Sequence, residues 1–478
     1  MITRLHTRSL LSALALLLLL APQWMVQTGC ANMAPPLGGA KDSLPPVLIA
    51  ARPADSSTNF TGEKITLVFD EFVQLDNVTQ NLLISPSPKT PPQVESKLRT
   101  VTITIKDTLE PNTTYTYDFG NSIKDVNESN VMKNFRYAFS TGPTLDDGII
   151  SGQVILAENG KSDSTLFAVL HLKNEDSTVY KDMPRYVTRL DSKGQFQFHN
   201  LPRNIQYYLY ALKDEGGQRR YMDSTKLFAF KEEPVSANDT TGFLLYAYAK
   251  KRIEKPSSSS TRPTSAKAAA AAAADKRLRF ETNLDNGEQD LLKPLTFTFK
   301  VAPLKEFDSS KIQFLDDKFN PIKGYTITKD TSNTKLTLQY NWTENSKYYL
   351  LVDKTFATDT SGRQLLKNDT LTFSSKKAST YGMVRLRFLN LDLTKNPVLQ
   401  LAQGDNVVYS HIFTSKEFYA KLFVPGEYEM RILYDDNKNG LWDPGNYFGT
   451  RRQPELVKPI VRKLNVKANW DNEIDVNL

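Results

Sequence analysis

"RTVTITIKDTLEPNTTYTYDF", residues 99–119, is the stretch on which the fold turns. Val101, Ile103 and Ile105 alternate with polar residues, a turn containing Pro111 and Asn112 follows, and Tyr115 and Tyr117 alternate again. A period of two, broken by turn residues, predicts a pair of antiparallel strands, each with one face in a core. Leu109-x-Pro111-x-x-x-Tyr115 has the form of a tyrosine corner, in which a Tyr hydroxyl ties its strand to backbone upstream across a sandwich edge.

The pattern recurs. "TKLTLQYNWTENSKYYLLV" (334–352) repeats it with Leu336, Leu338 and Tyr340, a turn, then Tyr348 and Leu350. Asn112-x-x-Tyr115 is matched by Asn345-x-x-Tyr348, and closing strands follow at 137–141 and 371–375. Each copy precedes a second repeat: "GQFQFHNLPRNIQYYLYALKDEGG" (194–217) parallels "KEFYAKLFVPGEYEMRILYDDNKNG" (416–440). Between the copies lies "KKRIEKPSSSSTRPTSAKAAAAAAADKR" (250–277), low in complexity and read as a semi-flexible spacer. Its seven alanines are too few for a stable isolated helix, which takes about 12–15 residues in water. The expected fold is all-β, four tandem antiparallel β-sandwiches in an A-B-linker-A-B duplication. The domains fall at 45–142 (A1), 148–249 (B1), 278–376 (A2) and 380–478 (B2). The linker is expected to let the two halves fold separately.

The N-terminal end reads as a targeting segment. Arg4 and Arg8 precede an apolar run, Leu10 to Ala21, that is shorter than the roughly 20 residues of a bilayer span. Residues 1–29 are therefore expected to be a signal peptide. The lone cysteine, Cys30, excludes an intrachain disulfide. Thr28-Gly29-Cys30 resembles the end of a bacterial lipobox, although Gln27 stands where an aliphatic residue is usual. The resemblance implies a lipid on Cys30, and Ala31 after it implies the outer membrane. Residues 30–44, Pro-rich at the start, would form the tether. The net charge of +7 does not mark a nucleic-acid partner, because the linker alone carries eight Lys or Arg against two acids.

The A segments resemble the SbsA-type bacterial Ig-like domain, on "PPVLIAARPADSSTNFTGEKITLVFDEFV" (45–73) and the closing Phe139-Ser140-Thr141. The B segments resemble transthyretin-like or carboxypeptidase-regulatory-like sandwiches. The tether "LGGAKDSLPP" (37–46) is similar to that of Ig-like lipoproteins of the Bacteroidota. That resemblance implies O-glycosylation at Asp-Ser or Asp-Thr sites, here Ser43, Thr108, Ser164, Ser177, Ser224, Thr240 and Thr370, all of a kind that turns also use.

One segment looks like chemistry. "DDNKNGLWDPGN" (435–446) places Asp435, Asn437, Asn439 and Asp443 at positions 1, 3, 5 and 9 of a calcium loop, with Gly440 at position 6. Calcium is the one cofactor this points to. Asn446 stands where a bidentate Glu is expected, and the alternative is a β-turn in which Asp caps backbone amides. The paired stretch of B1, "DEGGQRRYMD" (214–223), has Gly216 and Gly217 where ligands would be.

No sequence signature of a protease, hydrolase, nucleotide or dinucleotide site occurs, and none of His171, His199 and His411 sits in a ligand-like pattern. Asp70-Glu71 reads as a solvated strand end. Among the clustered tyrosines, Tyr207 and Tyr208 point to opposite faces, so one of each such pair is expected to meet a neighbouring A domain or a partner. The whole predicts a non-catalytic lipoprotein, lipid-anchored at the outer membrane through Cys30, that acts as an interaction scaffold with a protein partner there. The alternatives are an accessory subunit of an assembly or secretion machine and a glycan-binding lipoprotein.

Overall fold

The structure, a computed structural model, describes residues 41–239, 241–250 and 277–478. Cys30, Thr240, the N-terminal segment to residue 40 and residues 251–276 of the linker lie outside them. Among the described residues no helix is long and apolar enough to cross a membrane.

The fold is all-β and duplicated. In A1 the strand Thr100–Thr104 lies between Lys64–Phe69 and Gln93–Lys97, with Leu48–Arg52 at the far edge. Opposite Ile65 and Leu67 stand Ile103 and Val101, so the alternation is spent on one buried face while Thr100, Thr102 and Thr104 stay half-buried. The facing sheet has Thr114–Gly120 between Phe135–Ser140 and Leu83–Ser85. Tyr117, Phe119, Phe135 and Phe139 pack between the sheets against Val101 and Ile103.

A2 repeats the strand order of A1's two main sheets, with Glu288–Gln289 added in parallel beside Asp369–Ser375. Lys335–Gln339 lies between Leu295–Thr298 and Thr326–Lys329, and Lys347–Val352 lies between Asp369–Ser375 and Ile312–Leu315. B1 and B2 share a second plan. In B1 a sheet ordered Tyr186–Arg189, Leu166–His171, Gln206–Lys213, Phe228–Phe230 faces one in which Gly148–Leu156 pairs in parallel with Phe243–Ala247. B2 has Asn406–Ile412, Pro397–Gln403, Gly426–Tyr434, Leu456–Val466 in one sheet, and Gly382–Phe388 parallel to Asp471–Val476 in the other.

A tyrosine corner occurs in each of the four sandwiches. Tyr115 Oη accepts from Glu110 N at 2.8 Å, as the sequence predicts, and Tyr348 Oη accepts from Thr343 N at 3.2 Å. In the B domains Tyr207 Oη donates to Pro202 O and Tyr428 Oη to Val424 O, both at 2.9 Å. These two follow the Leu-Pro and Val-Pro turns that identified the B repeat.

Neighbouring domains pack on one another. In the A1–B1 junction Thr114 and Thr116, on the outer face of their strand, are buried, because Thr114 Oγ1 accepts from Asp146 N and Thr116 Oγ1 donates to Asn200 Oδ1. Ser87 N donates to Arg185 O at 2.9 Å, and the Arg185 guanidinium holds both oxygens of Glu110 at 2.7 and 2.6 Å. The A2–B2 junction is built differently, around Tyr381, whose hydroxyl donates to Asp290 Oδ1 and accepts from Leu291 N, each at 2.8 Å.

The larger departure from expectation is between the halves. They are not separate bodies, because B1 and B2 share a buried aromatic cluster. The linker therefore connects two domains already in contact.

Candidate functional site: the 435–455 loop and the face it builds

Strands Gly426–Tyr434 and Leu456–Val466 are joined by residues 435–455, a connection far longer than the two to five residues usual between paired strands. Its first part is the predicted calcium loop. Asp435 is almost fully buried. Its Oδ1 accepts from Lys438 N at 2.7 Å and Asn439 N at 3.3 Å, and its Oδ2 from Gly440 N at 2.6 Å. Asn437 Oδ1 accepts from Asn439 N, and Asn439 Oδ1 from Leu441 N. The amide nitrogens of Asn437 and Asn439 both donate to Asp443 Oδ2, the second at 2.7 Å. Gly440 has φ 76°, and a Cβ there would stand 3.2 Å from Ile412 Cδ1, so the turn needs glycine.

The four predicted ligand residues are thus brought together, but their oxygens are already engaged. The two asparagines turn nitrogen, not oxygen, toward Asp443. An ion at that point needs both amides reversed, at the loss of two hydrogen bonds to backbone. Among the described residues no group of three or more His, Cys, Asp or Glu side chains is arranged to hold a metal. As folded, the loop is closed by its own hydrogen bonds. Asp435 instead repeats a device found elsewhere in the chain. Buried Asp125 accepts from the backbone N–H of Glu128, Ser129 and Asn130, and buried Asp359 from those of Ser361 and Arg363. Each closes a turn after a short strand, with no calcium pattern around it.

Position 12 also differs from expectation. Asn446 faces away from the ligand set, donating to Phe448 O and Thr450 O and accepting from Lys250 Nζ at 2.9 Å. The carboxylate behind the loop is Glu455, nine residues past the last position the pattern inspects. Its Oε1 accepts from Asp436 N and its Oε2 from Asp443 N, both at 2.9 Å. Burial raises the Glu455 pKa, and Asp435 and Asp443 raise it further.

The second part of the loop reaches B1. Tyr447, 1% exposed, lies edge-on to Tyr210, Phe228 and Phe230 at ring distances of 5.7, 5.1 and 5.3 Å. Its hydroxyl donates to Tyr210 Oη at 3.3 Å. Phe448 stacks on Tyr221 at 5.7 Å. Gly445 is forced, because a Cβ there would lie 2.6 Å from Tyr248 Cε1. Arg451 sits over the Tyr447 ring at 4.8 Å and reaches Asp176 Oδ1 at 2.7 Å. Beside the loop, Val457 N donates to Ala157 O at 3.0 Å. Tyr221 belongs to the 214–223 stretch, so the two loops aligned in sequence meet in space.

This resolves the clustered tyrosines. Tyr207 is in the B1 core and Tyr210 and Tyr248 are buried outside it, but what covers them is B2, not an A domain. The histidines are structural in setting. His171 is buried edge-on to Tyr210 at 5.7 Å, His199 is half-buried at the A1–B1 junction, and His411 packs on Phe418 at 5.0 Å. Of the glycosylation candidates, Ser43, Thr108, Ser164 and Thr370 are exposed and Ser177 and Ser224 are partly buried. Asp70 Oδ1 accepts from Val47 N, capping the neighbouring strand.

Residues 42–141 match the family model of a bacterial Ig-like domain. No curated protein matches the chain. Among solved structures, the N-terminal part of the bacterial S-layer protein SbsC aligns at 18% identity over 43% of this chain, with a TM-score of 0.15. The chain spans 44% of that structure's length. The major pilin subunit BcpA of Bacillus cereus aligns at 9% identity over 70% of this chain and 99% of its own, with a TM-score of 0.17. The BSP domain of a biofilm-associated protein aligns at 10% identity over 83% and 96%, with a TM-score of 0.16. Likenesses at this level carry nothing about function.

Proposed function

We propose that the chain is a non-catalytic scaffold of a bacterial envelope, held at the outer membrane by a lipid on Cys30, that presents its sandwich surfaces to a protein partner. The observation that carries this reading is the Tyr447 cluster. It spends a long loop, the kind of segment that often holds a site, on fixing one domain against another. The match of residues 42–141 to a bacterial Ig-like domain supports the bacterial setting. Replacing Cys30 by Ser and fractionating cells tests the anchor. Loss from the outer-membrane fraction and loss of the lipid mass are expected, and a variant that stays there with an unchanged N-terminal mass refutes it. Pull-down from detergent-solubilised outer membranes tests the partner, and a β-barrel protein among those retained would favour the accessory-subunit form of the reading.

One observation favours the glycan-binding alternative. A1 and B1 enclose an open cleft of about 930 Å³ whose walls carry Asn121, Asn134, Gln153, Gln195 and Gln197 beside Arg189. Planar amides and a guanidinium suit sugar hydroxyls. Retention on a glycan array, lost on Gln195→Ala and Gln197→Ala together, is the outcome that would replace the scaffold reading.

A further inference from the structure

Leu98 and Arg99 form the two-residue turn between Gln93–Lys97 and Thr100–Thr104. Leu98 has φ 54°, a conformation that such turns normally give to Gly, Asn or Asp and that a bulky side chain rarely adopts. Ten of the sixteen described non-glycine residues with a φ of this kind are Asn. The chain answers this backbone demand with asparagine as a rule, yet here it holds a leucine that is 65% exposed. Strain kept for a side chain that stands in solvent points to a use outside the domain's own packing.

Four other apolar side chains stand beside it. Phe72 and Val126 flank the paired strands Val73–Leu75 and Ile123–Asp125, and Val126 N donates to Phe72 O at 3.1 Å. Val73 N donates to Leu98 O at 2.9 Å, and the Arg99 guanidinium lies over the Phe72 ring at 5.6 Å. Leu44 and Val47 extend the patch, since Val47 N donates to Asp70 Oδ1 at 2.8 Å and Asp70 N to Val47 O at 3.1 Å. All five apolar side chains are exposed. A contiguous apolar patch of this kind marks a membrane or protein contact.

The place of the patch chooses between the two. It lies at the end of A1 where the chain enters, for Asp42 O accepts from Asn130 Nδ2 at 3.1 Å beside Val126. The chain leaves A1 at the other end, where Thr141 N donates to Thr113 O at 3.1 Å. Cys30 precedes Lys41 by eleven residues, at most about 40 Å of extended chain. A lipid on Cys30 therefore keeps this end of A1, and no other part of the fold, within that reach of a bilayer. The charges around the patch select the bilayer. Asp42, Asp70, Glu71 and Glu128 gather there: burial raises the Glu71 pKa, and Asp125, Asp70, Asp42 and Glu128 raise it further. Anionic lipids repel such a ring, whereas ammonium head groups pair with it.

We propose that this end of A1 rests in the interface of a zwitterionic phospholipid bilayer, with Leu98, Phe72 and Val126 at the acyl boundary and the surrounding carboxylates among the ammonium head groups. The inference rests on the lipid at Cys30 proposed above and adds a second point of attachment to it. A single acyl anchor binds only marginally, and stable attachment takes a second signal. The seated patch supplies one.

The test supplies the anchor in another way. The chain from residue 30, with Cys30→Ser to remove the lone cysteine and a histidine tag at its N-terminus, is bound to vesicles of phosphatidylethanolamine and phosphatidylcholine that carry a nickel-chelating lipid. Asn127→Cys, next to Val126, takes an environment-sensitive fluorophore. Its emission should rise several-fold and shift to the blue on binding, while the same label at Leu366→Cys in A2, a position equally exposed, should not change. Leu98→Asn, which suits the left-handed turn, should remove most of the rise and leave the thermal midpoint equal or higher, so that loss of seating is not loss of fold. Replacing phosphatidylcholine by phosphatidylglycerol should reduce the rise. Equal responses at the two labels, a response unchanged by Leu98→Asn, or one that grows with phosphatidylglycerol overturns the proposal. Co-sedimentation through the tag shows that each variant has reached the vesicles. A negative result is then a failure of the seat and not of the lipid on Cys30, which cell fractionation of Cys30→Ser tests by itself.

Discussion

His171 is the residue with the clearest signature in solution. Burial holds its imidazole pKa down to about 4, Asp182 offsetting this only in part, and its Nε2 is buried with no hydrogen-bond partner among the described residues. The unfolded chain takes up this proton near the usual 6.5, the folded chain only near 4. The neutral form's contribution is therefore complete above pH 6.5 and is lost as the pH falls toward 4. Stability should drop by about 2 kcal/mol between pH 7 and pH 5 from this group alone. Urea denaturation at the two pH values measures it, and His171→Gln should flatten the dependence. The loss should be felt at the B1–B2 contact, since His171 lies against Tyr210. A midpoint equally pH-dependent in the variant would remove His171 from the account.

At the scale of the element, the 435–455 loop joins two properties that look separate in sequence. The capped turn at Asp435 orients the segment that carries Tyr447. Asp435→Ala leaves the N–H groups of Lys438, Asn439 and Gly440 without their acceptor in a partly buried turn. This should cost about 1–3 kcal/mol and be visible as a lower unfolding midpoint. The same variant separates the two readings of the loop. A turn closed by its own hydrogen bonds predicts no change in melting temperature between EDTA and about 1 mM calcium. A rise with calcium that Asp435→Ala abolishes would instead establish the ion, with both asparagine amides turned. The Asp-x-Asn-x-Asn-Gly spacing was legible because it is local. Glu455 was not, because nothing local links it to Asp443, and only the return of the chain along Leu456–Val466 puts it there.

At the scale of the molecule, the B1–B2 contact decides how the two halves behave. Limited proteolysis between Lys250 and Arg277 should leave two fragments that still co-elute in size-exclusion chromatography. Tyr447→Ala removes a fully buried aromatic side chain, a change worth about 3–5 kcal/mol in a core, and should let the nicked fragments separate. Fragments that separate without that substitution would show the halves to be independent after all. A chain clamped in this way holds the relative position of B1 and B2 without relying on its linker.

The all-β class, the duplication and the tyrosine corner of A1 were readable from the sequence alone. Strand alternation and turn residues are local consequences of backbone geometry, and a repeat shows itself by comparison within the chain. Val101 and Ile103 point inward for a reason visible in their spacing. What faces the other side of a strand has no such signature. Thr114 and Thr116 look like solvent-facing positions and lie under B1, and Tyr210 looks like surplus aromatic surface and lies under Tyr447. The same edge is covered in B1 and open in B2, although both follow one pattern. Which surfaces are shared depends on how the sandwiches are tilted against one another. That is settled by a few contacts at their junctions, such as Arg185 with Glu110 in one half and Tyr381 with Asp290 in the other, between residues too far apart in sequence for any periodicity to connect them.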